Sequence, residues 1–183
     1  KGLGRGSFSF FDARMNKDSA DRLALTTHLR HALSAGELRL VYQPQFALND
    51  GRMIGVESLM RWRSRHAGEI SPGQFIPLAE DSGLIQSLGR WVLRESTQQL
   101  KVWHDAGHTE LLMAVNLSAR QFQHGAVLTQ VEEALVASGI NPARLELELT
   151  ESVLLHDGEA VMNTLRQLKA LGVKLSIDDF GTG

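Results

Sequence analysis

The feature that most constrains the fold is a phrase that recurs along the chain: an amphipathic helical stripe, a closing glycine, then a short apolar run ending in a polar residue. Leu84, Leu88, Val92, Ser96, Leu100 and Trp103 follow helical spacing and stop near Gly107, after which Leu111 to Val115 reads as a strand ending at Asn116. Leu128, Val131 and Leu135 are closed by Gly139 and followed by the strand-like run Leu145 to Thr150. Val161, Leu165 and Leu168 are closed by Gly172, and Val173 to Ile177 then leads into Asp178 and Asp179. Helix, glycine, strand is the grammar of a parallel α/β sheet, because a parallel crossover needs a helix and glycine accepts the left-handed turn at its end.

The upstream part reads differently. Leu25, Leu29 and Leu33 stripe a helix that Gly36 ends, and the run Leu38 to Gln43 is followed by an Asn49-Asp50-Gly51 turn and a second run, Met53 to Leu59. A turn of that composition joins adjacent strands as a hairpin, so the first pair is predicted antiparallel. Ser71-Pro72-Gly73-Gln74 and Ser118 with Gln121 are predicted capping boxes. Lys1 to Gly6 lacks the later glycine of a dinucleotide fingerprint and reads as linker, and Ser7 to Phe11 is a short aromatic run. About five strands are predicted where a closed (β/α) barrel needs about eight, which leaves an open sheet or part of a barrel.

With 183 residues, 43% of them hydrophobic, the chain can build one sizeable core. A formal net charge of −2 offers no overall attraction to a DNA or RNA polymer or to an anionic membrane, so recognition of phosphate must be local. The absence of cysteine excludes a disulfide scaffold and any thiolate metal site. No apolar run approaches the roughly 20 residues of a membrane span and the beginning of the chain has no signal-peptide pattern. A cytoplasmic location is expected, with a longer parent protein free to be membrane-anchored.

The chemistry gathers at strand ends. Glu57 lies in Ile54-Gly55-Val56-Glu57-Ser58-Leu59, Asn116 follows Leu111 to Val115, Glu148 sits in Leu145 to Leu149, and Asp178 follows Leu175-Ser176-Ile177 with Asp179 beside it. Parallel strands are normally buried on both faces, where a carboxylate needs a cation. An all-oxygen set suits magnesium, manganese or calcium rather than a soft metal. Two adjacent carboxylates repel unless a cation lies between them, and two cations about 3.5–4 Å apart can share one carboxylate and activate water against a phosphodiester. Arg61, four residues after Glu57, would offer a planar fork to phosphate oxygens.

Each residue has a plainer reading. The alternation Leu145-Glu146-Leu147-Glu148 fits a solvated glutamate face, Asn116 fits a helix or turn cap, Asp178-Asp179 fits a turn before glycine, and Glu57 fits an ion pair with Arg61, Arg63 or Arg65. Arg61 itself fits a solvated arginine run. Agreement of several strand ends outweighs these readings taken singly. Asp179-Phe180-Gly181 also matches the magnesium-holding triplet of protein kinases, but no glycine-rich nucleotide loop, strand lysine or His-Arg-Asp loop accompanies it.

Six segments, in order, resemble the successive motifs of the EAL domain family: Tyr42-Gln43-Pro44, Glu57-Ser58-Leu59-Met60-Arg61-Trp62, Phe75-Ile76-Pro77-Leu78-Ala79-Glu80, Asn116-Leu117-Ser118, Glu148-Leu149-Thr150-Glu151-Ser152 and Asp178-Asp179-Phe180-Gly181-Thr182-Gly183. The resemblance implies a modified TIM barrel, α/β with an antiparallel first strand, that hydrolyses cyclic di-GMP to linear pGpG. It implies metal ligands at Glu57, Asn116, Glu148, Asp178 and Asp179, with Glu57, Asp178 and Asp179 catalytic and Asp178 bridging a two-metal site. The metals implied are magnesium or manganese, with calcium inhibitory. Gln43, Leu59 and Arg61 are implied to contact the substrate, and Glu151 to steady a loop beginning at Asp179 that serves metal binding and homodimer formation.

The signature here is Glu57-Ser58-Leu59 where the family has Glu-Ala-Leu, a change small enough to be tolerated. The family's catalytic lysine, a later metal-binding glutamate and a substrate glutamine are expected beyond Gly183. The expected organisation is therefore an incomplete barrel over residues 21–183, preceded in residues 1–20 by a linker or the end of a GGDEF (diguanylate cyclase) domain, which Phe8 to Arg22 resembles. The expected function is that of a metal-dependent phosphodiesterase. The alternatives are a non-catalytic cyclic di-GMP receptor and an interaction module whose metal site only orders a dimer.

Overall fold

The computed structural model describes residues 13–122, 126–150, 153 and 158–178, with the backbone alone for residues 13–20 and 178. Its elements are α1 (Ala13–Ala32), β1 (Leu38–Phe46), β2 (Met53–Ser64), β3 (Gly68–Ile70), α2 (Pro72–Asp81), α3 (Ile85–Asp105), β4 (Leu112–Leu117), α4 (Ala119–Phe122), α5 (Ala126–Ser138), a 3-10 turn (Pro142–Arg144), β5 (Leu145–Thr150), α6 (Gly158–Ala170) and β6 (Lys174–Asp178). α1 begins at Ala13, inside the segment expected to be linker or the end of a preceding domain.

The sheet runs β1-β2-β4-β5-β6, with short β3 off this path against β2. β1 and β2 pair antiparallel, as the Asn49-Asp50-Gly51 turn predicts, and Gly51 takes the positive φ of 68° that the turn requires. β2, β4, β5 and β6 are successively parallel neighbours. Three local expectations need correction. β2 continues through Ser64 rather than ending near Leu59, β3 is an additional strand, and Ser71 caps α2 through its backbone without a side-chain hydrogen bond. The arginine-rich end of β2 hides its strand character, and β3, at three residues, is too short to show a period.

Alternate positions along the strands divide the sheet into two faces. Val56, Met113, Val115, Leu117, Leu145, Leu147 and Leu149 form one core cluster with Val92, Leu93 and Leu100 of α3, Val127 and Val131 of α5, and Leu165 and Leu168 of α6. The residues between them, Glu57, Ala114, Asn116, Glu146 and Glu148 among them, form the opposite face. Glu146 and Glu148 on that face are half-buried, whereas their strand neighbours Leu145, Leu147 and Leu149 are buried.

A second cluster closes the β2 end under α1 and α2. Trp62 and Phe75 are both fully buried, with ring centroids 5.8 Å apart in an edge-to-face arrangement at 85°. The Trp62 Nε1–H donates to Glu37 Oε2 at 3.1 Å, and the Arg65 backbone N–H donates to Glu37 Oε1 at 3.3 Å. The Trp62 hydrogen bond, helped by the Arg65 amide and guanidinium, holds the Glu37 carboxyl below its ordinary pKa against the opposing effect of burial. A lowered folded-state pKa stabilises the fold above the unfolded glutamate pKa of about 4.3, and this contribution is lost as pH falls through the lower folded value. Glu37→Gln is expected to flatten the acid limb of the stability profile below about pH 4 while leaving Trp62 buried. Urea titrations of both proteins between pH 3 and 7, followed by tryptophan fluorescence, measure the difference.

Candidate active site at the strand ends

Register brings the predicted residues to one side of the sheet. Gln43 on β1 is paired directly with Glu57 on β2, and Leu59 and Arg61 follow on the same face of β2 at successive alternate positions. Glu57 is level with Ala114, two residues before Asn116 on β4; Asn116 is level with Glu148 on β5; Glu148 is level with Ser176, two residues before Asp178 on β6. Each two-residue step advances about 6–7 Å along a strand. The site therefore ascends from Glu57 through the Asn116–Glu148 level to Asp178 without changing face.

Glutamate's length bridges the first step. Asn116 Nδ2 donates to Glu57 Oε1 at 2.6 Å, a bond strengthened by the carboxylate charge. This replaces two plainer readings. Asn116 is not the helix cap, and Glu57 is bonded to an amide while the three arginines turn elsewhere. Arg61 Nη1 donates to the Met60 carbonyl at 3.0 Å, Arg65 Nη2 donates to the Ala35 carbonyl at 2.9 Å, and Arg63 is exposed. Gln43 is exposed, and Leu59 and Arg61 are half-buried. Glu151 and Asp179 lie outside the described residues, as does the side chain of Asp178.

A cavity of about 270 Å³ opens beside these strand ends, lined among others by Leu59, Arg61, Pro72, Glu80, Asn116 and Gln121. Glu80 and Gln121 are residues that sequence reasoning did not assign to the site. Glu80 Oε1 accepts from Ser118 Oγ at 2.6 Å, and Gln121 Oε1 accepts from the Ser118 backbone N–H at 2.9 Å. The Gln121 bond is one half of the predicted capping box, whereas the Ser118 hydroxyl serves Glu80 and accepts from the Arg120 amide at 3.2 Å. The signal available for Glu80 was its place at the end of the Phe75 to Glu80 motif.

The family model described as EAL domain matches residues 26–183. The chain belongs to the EAL domain family. It is 46% identical, over all 183 residues, to a Pseudomonas aeruginosa protein named bifunctional diguanylate cyclase/cyclic di-GMP phosphodiesterase MucR, of which it covers 27%. It is 39% identical over 180 residues to the Escherichia coli cyclic di-GMP phosphodiesterase PdeR, covering 98% of this chain and 27% of that one. The chain thus spans about a quarter of the length of these curated relatives. Among solved structures, the MucR phosphodiesterase in complex with cyclic di-GMP superposes with a TM-score of 0.83 at 48% identity, over 87% of this chain and 65% of that one. The open α/β sheet with its antiparallel first strand is the expected incomplete EAL barrel.

The EAL residues present fit a hard divalent cation by donor chemistry. Among the described residues no three His, Cys, Asp or Glu side chains form a metal-binding group, so the carboxylates alone do not complete a site. Glu57 and Glu148 with the Asn116 amide supply oxygen donors on three neighbouring strands and one face. The Ser176 hydroxyl, level with Glu148, is buried without a hydrogen-bond partner among the described residues. Oxygen donors without sulfur or imidazole suit magnesium, manganese or calcium rather than a soft metal.

Register also accounts for the altered signature residue. Ser58 lies on the face opposite Glu57, is only 4% exposed, and donates from Oγ to the Ala114 carbonyl at 3.1 Å. Restoring the family residue with Ser58→Ala removes one hydrogen bond and is expected to change stability by no more than about 1 kcal/mol. Divalent-metal affinity should stay within about twofold of the parent, because no atom on the Glu57 face is altered. Calorimetry with manganese alongside urea unfolding reads both quantities.

Proposed function

We propose that this chain forms the substrate- and metal-binding part of a metal-dependent cyclic di-GMP phosphodiesterase yielding linear pGpG. The observation that carries the reading is the single sheet face on which Gln43, Glu57, Leu59, Arg61, Asn116 and Glu148 stand together, with Asp178 next in register. The names of MucR and PdeR, both cyclic di-GMP phosphodiesterases, and the MucR structure in complex with that nucleotide support the substrate.

In this reading Glu57, Asn116, Glu148, Asp178 and Asp179 would hold magnesium or manganese, and calcium would act as an inhibitory competitor. When bound, the metals supply Lewis-acid polarisation of the scissile phosphate and activation of water at neutral pH. The remaining work falls to the chain itself. Arg61 directs its guanidinium fork at phosphate oxygens, Gln43 offers both donor and acceptor from an exposed position on β1, and Leu59 packs against the nucleotide between them. Glu57 is held forward by Asn116, so the carboxylate is oriented before a ligand arrives. Glu151 steadies the loop starting at Asp179, which also serves homodimer contact. Residues 21–183 belong to the phosphodiesterase domain, and residues 1–20 lead from a GGDEF-type domain, a tandem supported by the two activities in the name of MucR.

The full-length protein supplied with magnesium or manganese is expected to convert cyclic di-GMP to pGpG. Glu57→Ala should lower turnover by on the order of 100-fold or more, since metal-held charge stabilisation amounts to several kcal/mol. Arg61→Ala should act chiefly on KM. Chromatographic detection of pGpG decides the matter, and turnover equal to that of Glu57→Ala sinks the reading. Nucleotide binding without turnover would instead identify a receptor, and absence of binding an interaction module.

A further inference from the structure

We infer that Ser118, with Glu80 and Gln121, forms a positioning lock that sets the metal affinity of Asn116 and Glu57 from outside the ligand row. The inference rests on the proposed metal site and adds residues that do not touch the metal. Asn116 sits at the exposed end of β4, one residue before the strand finishes at Leu117. An exposed strand end frays unless something beyond it is fixed. Ser118, the next residue, has every hydrogen-bonding group engaged. Its backbone N–H donates to Gln121 Oε1 at 2.9 Å, its carbonyl accepts from the Gln121 backbone N–H at 3.0 Å, its Oγ–H donates to Glu80 Oε1 at 2.6 Å, and its Oγ accepts from the Arg120 N–H at 3.2 Å.

These partners belong to separate parts of the fold. Glu80 lies in the last turn of α2, and Gln121 in α4 is packed onto α3 at Gly89. The fit at Gly89 is close enough that a Cβ added there would stand 2.1 Å from Gln121 Nε2 and 2.9 Å from its Cδ. Gln121 is 2% exposed and its Nε2 has no partner among the described residues, so the Ser118 amide is what holds its carboxamide in place. Two helices, α2 and α4, thus bond one serine two residues from Asn116, and α3 backs the arrangement through Gln121. The 2.6 Å bond from Asn116 Nδ2 to Glu57 Oε1 carries the constraint to the first carboxylate. Partners beyond the ligands commonly tune metal affinity in this way.

The test is manganese binding to the full-length protein by calorimetry, with thermal unfolding measured on the same samples and Glu57→Ala as the site control. Wild type should bind manganese and Glu57→Ala should not. Ser118→Ala and Glu80→Ala are expected to weaken binding at least about tenfold, the lower end of what outer-shell partners contribute. Glu80→Gln keeps an oxygen acceptor for Ser118 Oγ and should recover most of the affinity, a rescue that a purely structural role for the charge would not produce. Gly89→Ala, which displaces Gln121, should reproduce the Ser118→Ala loss while the protein still unfolds cooperatively. Manganese affinity in Ser118→Ala equal to wild type overturns the lock and leaves the metal site standing, as does Glu80→Gln no better than Glu80→Ala. A wild-type protein that binds no manganese overturns both.

Discussion

The hydrogen-bond register of the parallel ladder from β2 through β4 and β5 to β6 is the constraint on which the rest depends. Strand side chains alternate with a period of two, so a slip of one residue on any strand would move its polar residue to the helix-covered side and an aliphatic residue to the open one. The apolar positions Val56, Val115, Leu147 and Leu149 prevent this, because each is nearly fully buried under α3, α5 and α6. Burying a side chain of this size is worth roughly 1.5–3 kcal/mol, and a slip would forfeit several at once. The core thus fixes the site without contributing an atom to it.

The same register explains the spacing of the site. The site residues of neighbouring parallel strands are offset by two positions between Glu57 and Asn116, level between Asn116 and Glu148, and offset by two again between Glu148 and Asp178. Tilted strands in a barrel sheet require such stagger. It spreads the carboxylates along the strand direction and limits their mutual repulsion, and the long side chain of Glu57 spans the first offset to reach Asn116. Glutamate at the lagging strand and aspartate at the leading one is the assignment that stagger favours, since the group farther back needs the longer reach.

Much of this is legible in the sequence because it is repetitive. The glycine-closed helices and the runs ending at Asn116, Thr150 and Asp178 announce the parallel ladder, and Asn49-Asp50-Gly51 announces the antiparallel pair. What periodicity misses is context. The arginines of β2 disguise its last turns of pleat, and alternation in Leu145 to Leu149 reads equally as a solvent-facing edge or as one wall of a site. Only the neighbours decide, by showing that Glu148 stands level with Asn116 on one side and with Ser176 on the other. Glu80 was hidden for a different reason. Its partner Ser118 lies 38 residues away, a pairing that no local pattern encodes.

That long-range pairing separates two roles that neighbouring residues often blur. Asn116 faces the open side of the sheet, whereas Leu117, next in the chain, is buried in the core and Ser118 turns toward Glu80 and Gln121. Three consecutive residues thus meet solvent, hydrocarbon and a polar lock in turn. Each setting resists a different displacement: the core opposes sliding of β4 along the sheet, the lock opposes fraying of its end, and the bond to Glu57 fixes the Asn116 amide within the face. A ligand group on a short strand needs all three, since the six residues of β4 supply few ladder bonds of their own. Precision at this strand end is therefore a property of its surroundings, and it is reached only when α2, α3 and α4 have packed.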